Sequence, residues 1–480
     1  MGIMKAHVVA VPFPALAHMI PLLEFAKELA AHSITVSFVT TPANEHRLHQ
    51  QITHVISSGL DIRLLVLPTP QIQGLPEGLE SFEQIPRELC PKFFQLAQKL
   101  EQPFDSWIEA QKAQDKRPLC IIYDALLGWS MEAAHKHRIP AIAFSKYGTF
   151  GLSVMHSAWL SDAQNRVEKQ GNDLVLSLDL PAPLKFQGHE IDEGLWVPFM
   201  MEVLGRLESA KKGCGILVNT FEELEGDFVQ HMRNLTGKPV WCIGPLLPPN
   251  FCSRGKMADT GVKDLVQWLD SHKPRSVLYV SFGSQTFLSE EQSKALASGL
   301  EASEQAFIWA FKVPPGVKPA TCPDLAATYL PQGFMERTKC RGLVIWGWVP
   351  QLVILSHSSV GALMSHCGWN SMLESVSLGI PMVTWPMYAD QHFNSRLAVG
   401  LGMGIQVCQH SAGIPDEQRV KEGVRLVLCK DEGKEMMKSA QRLKEMAAGA
   451  VAVGGSSDAN FQDFLREIHM LDMTRKTVSF

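Results

Sequence analysis

Short, almost wholly apolar runs recur along the chain, each followed by a longer stretch whose apolar positions repeat at helical spacing. In the first half the runs predict strands at Val8–Val11, Thr35–Thr40, Arg63–Leu67, Cys120–Tyr123, Ala141–Phe144 and Ile216–Asn219. Helical patterns lie between them, for example Pro21–Ala30, where Leu22, Leu23, Ala26 and Leu29 share one face. A strand that is apolar at every position, not at alternate ones, is covered on both sides, as in a parallel sheet between helical layers. The expectation is a doubly wound α/β unit.

The segment Pro239–Gly261 interrupts this alternation with repeated prolines and little periodicity, which suits a linker. The pattern then restarts, with strands expected at Val277–Ser281, Phe307–Phe311, Val344–Trp346, Ala362–Met364, Met382–Trp385 and Ile405–Val407, and a helix at Glu290–Ala302. A second doubly wound domain follows. The expected organisation is a first domain over 1–245, a linker over 246–262, a second domain over 263–455, and a final helix over 456–480. That helix carries an apolar stripe of Phe461, Phe464, Leu465 and Ile468, which needs a surface to dock on.

Length and composition narrow the class. A chain of 480 residues is too long for one ordinary core. Hydrophobic content of 46 % and charged content of 19 % are those of a globular protein. A net charge of -5 without a dense basic stripe argues against a nucleic-acid partner. No apolar run is long enough to span a bilayer, so stable membrane insertion is not expected. The 10 cysteines lie apart with no C-x-x-C pair, which speaks against a zinc ribbon or redox motif and for a reducing, cytoplasmic setting. The opening stretch from His7 to Leu29 imitates a signal peptide, but Pro12, Pro14 and Pro21 break its apolar core. It reads instead as a strand, a proline-bounded loop and a helix.

Candidate chemistry concentrates between Trp348 and Gln391. The run Val360–Met364 leads into Ser365-His366-Cys367-Gly368, and Asn370-Ser371 then opens a helix over Met372–Leu378 that stops at Gly379. A strand, a glycine turn and a capped helix start form an anion site, because the first N–H groups of the helix and its dipole both favour phosphate. Glu374, one turn further on, can accept two hydroxyls of a ribose. The loop Ser281–Thr286, "SFGSQT", also follows a strand and can face the same phosphates. Asp390 and Gln391 lie past another strand end and suit sugar hydroxyls, one accepting and the other both donating and accepting. On the H-C-G-W-N-S string alone, His366 and Asn370 serve equally well as plain helix caps.

The chain holds 17 histidines, the side chain best matched to proton transfer near neutral pH. His18 stands out because it follows the first strand at the carboxyl edge, where doubly wound sheets bind ligands. His7, at the start of that strand, reads as structural. Asp124 ends "LCIIYD", also at a carboxyl edge, where it either caps the helix near Gly128 or orients a histidine. A nicotinamide oxidoreductase is the rival reading, but "GLGMG" at Gly400–Gly404 follows a helix and precedes a strand, opposite to the dinucleotide fingerprint.

The stretch from Trp348 to Gln391 resembles the signature box of plant secondary-metabolite UDP-glycosyltransferases, matching W-x-P-Q, H-x-x-x-G, H-C-G-W-N-S-x-x-E, G-I-P, W-P and D-Q. The likeness extends over nearly the whole chain, with Ser365, Met364 and Ala17 standing where threonine, phenylalanine and glycine are usual. The resemblance implies two facing Rossmann-like domains (GT-B type) with an interdomain cleft, an acceptor-binding first domain, a UDP-sugar-binding second domain, and a last helix crossing back to the first. It implies UDP-sugar contacts from Ser284, Trp348, Val349, Gln351, His366, Trp369, Asn370, Ser371, Glu374, Asp390 and Gln391. Trp348 would stack on uracil, Gln351 and Glu374 hold the ribose, Ser284, His366, Asn370 and Ser371 the diphosphate, and Trp369, Asp390 and Gln391 the sugar. The terminal glutamine favours UDP-glucose as donor. His18 and Asp124 match the family's base and its orienting partner, so inverting transfer to a hydroxyl of a small phenolic or flavonoid acceptor is expected, with no cofactor and no metal. Another UDP-sugar, or a terpenoid or hormone acceptor, is the alternative. Phe13, Trp129, Phe144, Trp196 and Phe199 are candidate acceptor contacts, and a monomer is expected.

Overall fold

The computed structural model describes residues 6–163, 168–170, 173–176, 180–181, 184–187, 190, 212–248, 260–313, 325–408 and 413–478. The first sheet is built from β1 (His7–Val11), β2 (Thr35–Thr40), β3 (Ile62–Val66), β4 (Cys120–Asp124) and β5 (Ala141–Ser145). Three short antiparallel strands follow, β6 (Glu168–Gln170), β7 (Asp173–Leu176) and β8 (Leu184–Gln187). Strands β9 (Gly215–Val218) and β10 (Val240–Cys242) complete the first sheet in the order β10-β9-β5-β4-β1-β2-β3, and all its pairings are parallel.

The second large sheet contains β11 (Val277–Ser281), β12 (Ala306–Phe311), β13 (Gly342–Trp346), β14 (Val360–Ser365), β15 (Met382–Thr384) and β16 (Gly404–Gln406). Its order is β13-β12-β11-β14-β15-β16, again parallel throughout. Strands β2, β4, β5, β11 and β14 are buried at every residue, which is why their sequences are apolar without alternation. Edge strand β13 is only half-buried.

Three strands start ahead of their apolar runs by taking in a glycine. Gly215 and Gly342 open β9 and β13, and Gly361 is the second residue of β14. A Cβ there would come within 2.4 Å of the Trp241 ring, the Phe307 ring and the Arg275 carbonyl, respectively. These glycines permit close packing; they do not end strands.

The first helix, α1, spans Leu16–Ala31 and not only Pro21–Ala30. Its first turn closes ahead of the proline, with the His18 and Met19 N–H groups donating to the Ala15 carbonyl at 2.9 and 2.8 Å. Pro21 therefore forfeits one hydrogen bond inside the helix without marking its start. His18 sits in the first helical turn, not in a loop.

The chain divides into two compact units, one comprising 1–149, 197–247 and 450–480, the other 150–196 and 248–449. The core of the first joins Val8, Leu22, Phe25, Phe38, Ile122 and Phe144 to Phe464 and Ile468 of the last helix, Ser456–Val478. Polar contacts fix that helix: the Trp241 indole donates to Asp463 at 2.8 Å and the Cys242 N–H to Asn460 Oδ1 at 3.2 Å. Burying Phe464 completely contributes about 2–3 kcal/mol. The second core centres on Leu278, Val280, Trp309, Met364 and Trp385.

Both large sheets reverse their winding once. In the first, β1 to β3 run one way and β4, β5, β9 and β10 the other, so the switch lies between β1 and β4. In the second it lies between β11 and β14. The crevice outside the carboxyl ends at such a switch is where doubly wound sheets take ligands.

Candidate active site

The residues leaving β1 and β4 meet at the first switch point. His18 Nδ1 lies 2.7 Å from Asp124 Oδ2, and both side chains are buried, at 5 % and 2 % exposure. A carboxylate only accepts, so the imidazole proton belongs on Nδ1 and Nε2 keeps its lone pair. The other carboxylate oxygen, Asp124 Oδ1, accepts the Leu126 N–H at 2.9 Å. Asp124 thus shapes its own turn and orients His18. It does not cap the helix Trp129–His137, whose N-cap is Gly128 with no side-chain bond. His7, at the opposite edge, shares a hydrogen bond with Ser37 Oγ at 2.9 Å.

Aromatic rings surround the pair. Phe13 packs 5.2 Å from the His18 ring and Tyr147 stands edge-on at 5.8 Å. Phe82, Phe93 and Phe94 extend the cluster around Phe13. Trp129 and Phe144, expected as acceptor contacts, are core side chains instead. Trp129 donates its indole N–H to the Ala97 carbonyl at 2.9 Å, and Phe144 stacks on Phe25 inside the first core. Strand-end position did not decide which face each ring takes; a fully buried strand fills both faces with core. Trp196 and Phe199 lie outside the described residues.

At the second switch point the turn after β14 folds tightly. Cys367 is left-handed at φ 65°, its N–H accepted by Ser365 Oγ at 3.1 Å. The helix Trp369–Leu378 starts directly behind it, placing Asn370 and Ser371 in its first turn. His366 lies between two glycines, since a Cβ on Gly283 or Gly368 would come within 2.5 or 2.7 Å of its ring. Gly283, at φ +73°, belongs to the loop after β11, so the two segments expected to face phosphate touch through this histidine. Exposed Ser284 is in the same turn, its carbonyl accepting from Lys312 Nζ.

Three of the expected ribose and phosphate residues form one network. Gln351 Nε2 donates to Glu374 Oε2 at 2.5 Å and to Ser371 Oγ at 3.2 Å, while Tyr279 OH donates to Gln351 Oε1 at 3.3 Å. Desolvation raises the Glu374 carboxyl to about 7, against the lowering effect of the Gln351 hydrogen bond. Trp348 is 86 % exposed, an uncommon surface for an indole, whereas its neighbour Val349 is buried. Trp369, expected at the sugar, is wholly buried, so any contact from it is through its main chain and not its ring. Asp390 and Gln391 are buried too: Gln391 Oε1 accepts the Met387 and Tyr388 N–H groups at 3.0 and 3.1 Å, leaving its amide NH2 as donor.

The comparisons with known proteins fit this arrangement. A profile for UDP-glucoronosyl and UDP-glucosyl transferases matches residues 245–435, and one for a glycosyltransferase N-terminal domain matches 5–248. A scopoletin glucosyltransferase of Nicotiana tabacum is 36 % identical over 96 % of this chain and 98 % of its own. The chain belongs to the UDP-glycosyltransferase family. Among solved structures, Glycyrrhiza uralensis UGT73P12 complexed with glycyrrhetinic acid 3-O-monoglucuronide superposes with a TM-score of 0.85 at 28 % identity, covering 99 % of this chain and 98 % of that one. An indoxyl-glucosylating UDP-glucosyltransferase of Polygonum tinctorium gives 0.80 at 27 % identity, covering 97 % and 99 %. This UDP-glycosyltransferase therefore has the GT-B type of fold, with two doubly wound parallel-sheet units, and is a hexosyltransferase.

Sequence reasoning missed the residues that brace this UDP-glycosyltransferase's box. Asn394 Nδ2 donates to the Cys367 carbonyl at 2.9 Å and to Asp390 Oδ2 at 2.7 Å, tying the glycine turn to the D-Q pair. Its spacing of four from Asp390 on one helix was the available signal. Trp385 packs edge-on to Phe282 at 5.1 Å, joining the W-P and S-F-G-S segments, and nothing local in the sequence marks that contact. Among the described residues no helix is long and apolar enough to cross a membrane.

Proposed function

We propose that this UDP-glycosyltransferase moves glucose from UDP-glucose to a hydroxyl of a small phenolic or flavonoid acceptor, inverting the anomeric carbon to give a β-glucoside. The observation that carries the reading is the buried His18–Asp124 pair at a sheet switch point. His18 Nε2 takes the acceptor proton as its oxygen attacks, and Asp124 holds the tautomer and balances the charge the ring gains. The diphosphate leaves against His366, Ser284 and the first turn of the helix Trp369–Leu378, with Asn370 and Ser371, so the scheme uses no metal. Trp348 stacks on uracil with Val349 beside it, Gln351 and Glu374 take the ribose hydroxyls, and Asp390 and Gln391 grip the sugar.

Glucose is supported by the glutamine at the end of the box and by the tobacco relative, which is named as a glucosyltransferase. The aromatic acceptor is supported by the rings around His18, with Phe13, Phe82 and Tyr147 as its walls, and by that relative's scopoletin. We place the enzyme in the cytoplasm as a monomer. The test is a screen of phenolic acceptors with UDP-glucose and UDP-galactose, read by product mass and anomeric configuration. Galactoside formation exceeding glucoside, or an α-product, would overturn the proposal.

A further inference from the structure

The helix that carries His18 in its first turn begins without a cap of its own, because its N-cap residue, Ala15, has no side-chain acceptor. The need is met from a distant segment. Glu83 Oε2 lies 3.4 Å from the Leu16 N–H, and the other oxygen of the same carboxylate pairs with Arg47 Nη1 at 2.6 Å. Glu83 is 8 % exposed, so it is held there by burial as well as by the ion pair. One residue earlier the Phe82 N–H donates to the Pro14 carbonyl at 2.9 Å, and the Phe82 ring packs 5.7 Å from Phe13, the ring that leans on His18. Glu80 repeats the device on the second helix, Pro42–Ser57, where its Oε2 accepts the Ala43 N–H at 2.8 Å and its carbonyl accepts Asn44 Nδ2 at 2.8 Å. The short segment from Glu80 to Gln84 therefore straps down two helix starts at the carboxyl ends of β1 and β2.

We propose that Glu83 is a positioning residue for His18, acting as a cap supplied in trans to the first turn of α1. This rests on His18 being the base. A carboxylate at a helix start satisfies an otherwise orphan N–H and favours the local dipole. Without it the first turn frays and the imidazole loses its fixed approach to the acceptor oxygen, a displacement to which transfer rates are steeply sensitive. Donor binding, which belongs to the other unit, is left alone.

The test compares Glu83→Ala, Arg47→Met and the pair Glu83→Gln/Arg47→Met, reading kcat, KM for UDP-glucose, UDP affinity by calorimetry and melting temperature. Glu83→Ala is expected to lower kcat about tenfold, with KM for the donor and UDP affinity within about twofold of wild type. Arg47→Met keeps the cap and is expected to keep kcat. The double variant keeps an acceptor oxygen at Leu16 without the ion pair, and is expected within about threefold of Arg47→Met. Glu83→Ala at full kcat, or a double variant as slow as Glu83→Ala, overturns the proposal. If Glu83→Ala does not fold, the double variant against Arg47→Met decides alone, a tenfold gap counting against. His18→Ala separates the two readings: turnover retained there sinks the base assignment itself, while its loss beside a fully active Glu83→Ala sinks only the cap.

Discussion

Glu374 is proposed to hold the donor's ribose, so stability and donor binding are expected to pull in opposite directions there, and replacing it with glutamine measures both. In the folded protein its carboxyl is raised to about 7, from the 4.5 of an ordinary glutamate, because desolvation outweighs the hydrogen bond from Gln351. A raised folded value means the folded state holds the proton while the unfolded chain has already lost it. Below the unfolded value the two states are equally protonated and nothing is lost. Between 4.5 and 7 stability falls as pH rises, and above 7 the penalty is constant. A gap of about 2.5 units at ~1.4 kcal/mol per unit sets an upper bound of about 3 kcal/mol at pH 8. The side chain is only half-buried, so solvent trims this, to about 1–3 kcal/mol.

Glu374→Gln removes the titration and keeps an oxygen for Gln351 Nε2 to bond. At pH 8 the variant is expected to melt higher than wild type by on the order of 5 °C, given ~2–4 °C per kcal/mol for a unit of this size. At pH 5 the same two-state titration leaves about a quarter of that gap. The variant should also bind UDP more weakly, since an amide is a poorer partner for two ribose hydroxyls. Scanning melts at both pH values, with and without UDP, are the assay. A gap of equal size at both pH values, or a variant that melts lower at pH 8, would refute the desolvation argument. Tighter UDP binding would refute the ribose assignment.

His18→Ala is expected to cut turnover by about 10²–10⁴ with UDP affinity unchanged, and single-turnover product assays check it. Gly283→Ala places a methyl at φ +73° within 2.5 Å of the His366 ring, so about tenfold weaker UDP binding is expected by calorimetry. Trp348→Ala should weaken UDP binding ten- to hundredfold without lowering the melting temperature, because the indole is 86 % exposed. Phe464→Ala, from a fully buried site in the first core, should destabilise that unit by about 3–5 kcal/mol in urea unfolding while sparing UDP binding.

Strands and box were legible for the same reason: both are local. A strand buried on two faces must be apolar throughout, and the run Val360–Ser365 shows it directly. The segments Ser365–Ser371 and Asp390–Gln391 keep their spacing because a glycine turn and a helix start must follow each other within a few residues. What escaped notice was carried by pairs distant in sequence. Glu83 meets Leu16 across 67 residues, and Tyr279 meets Gln351 across 72, with nothing near either partner to announce the other. Trp129 and Phe144 were misplaced because position along a strand or helix fixes an edge of the sheet, not the direction of a ring.

His18 lies in a helix's first turn where a loop was expected, yet at the expected edge of the sheet. The strand end at Val11 fixes where the chain emerges, and loop or helix start would both leave His18 at that edge. The difference matters for the chemistry. In a helix's first turn the backbone dipole opposes the positive charge an imidazole gains on taking a proton. A carboxylate 2.7 Å away offsets it, and here that carboxylate is buried with the ring. Asp124 then does more than select a tautomer. Asp124→Asn keeps an oxygen for the Leu126 N–H but removes the charge, and should therefore slow transfer nearly as much as His18→Ala. Its NH2 would then face His18 Nδ1 and drive the ring proton to Nε2, so the wrong tautomer adds to the lost charge, and turnover near wild type in that variant would refute the pairing.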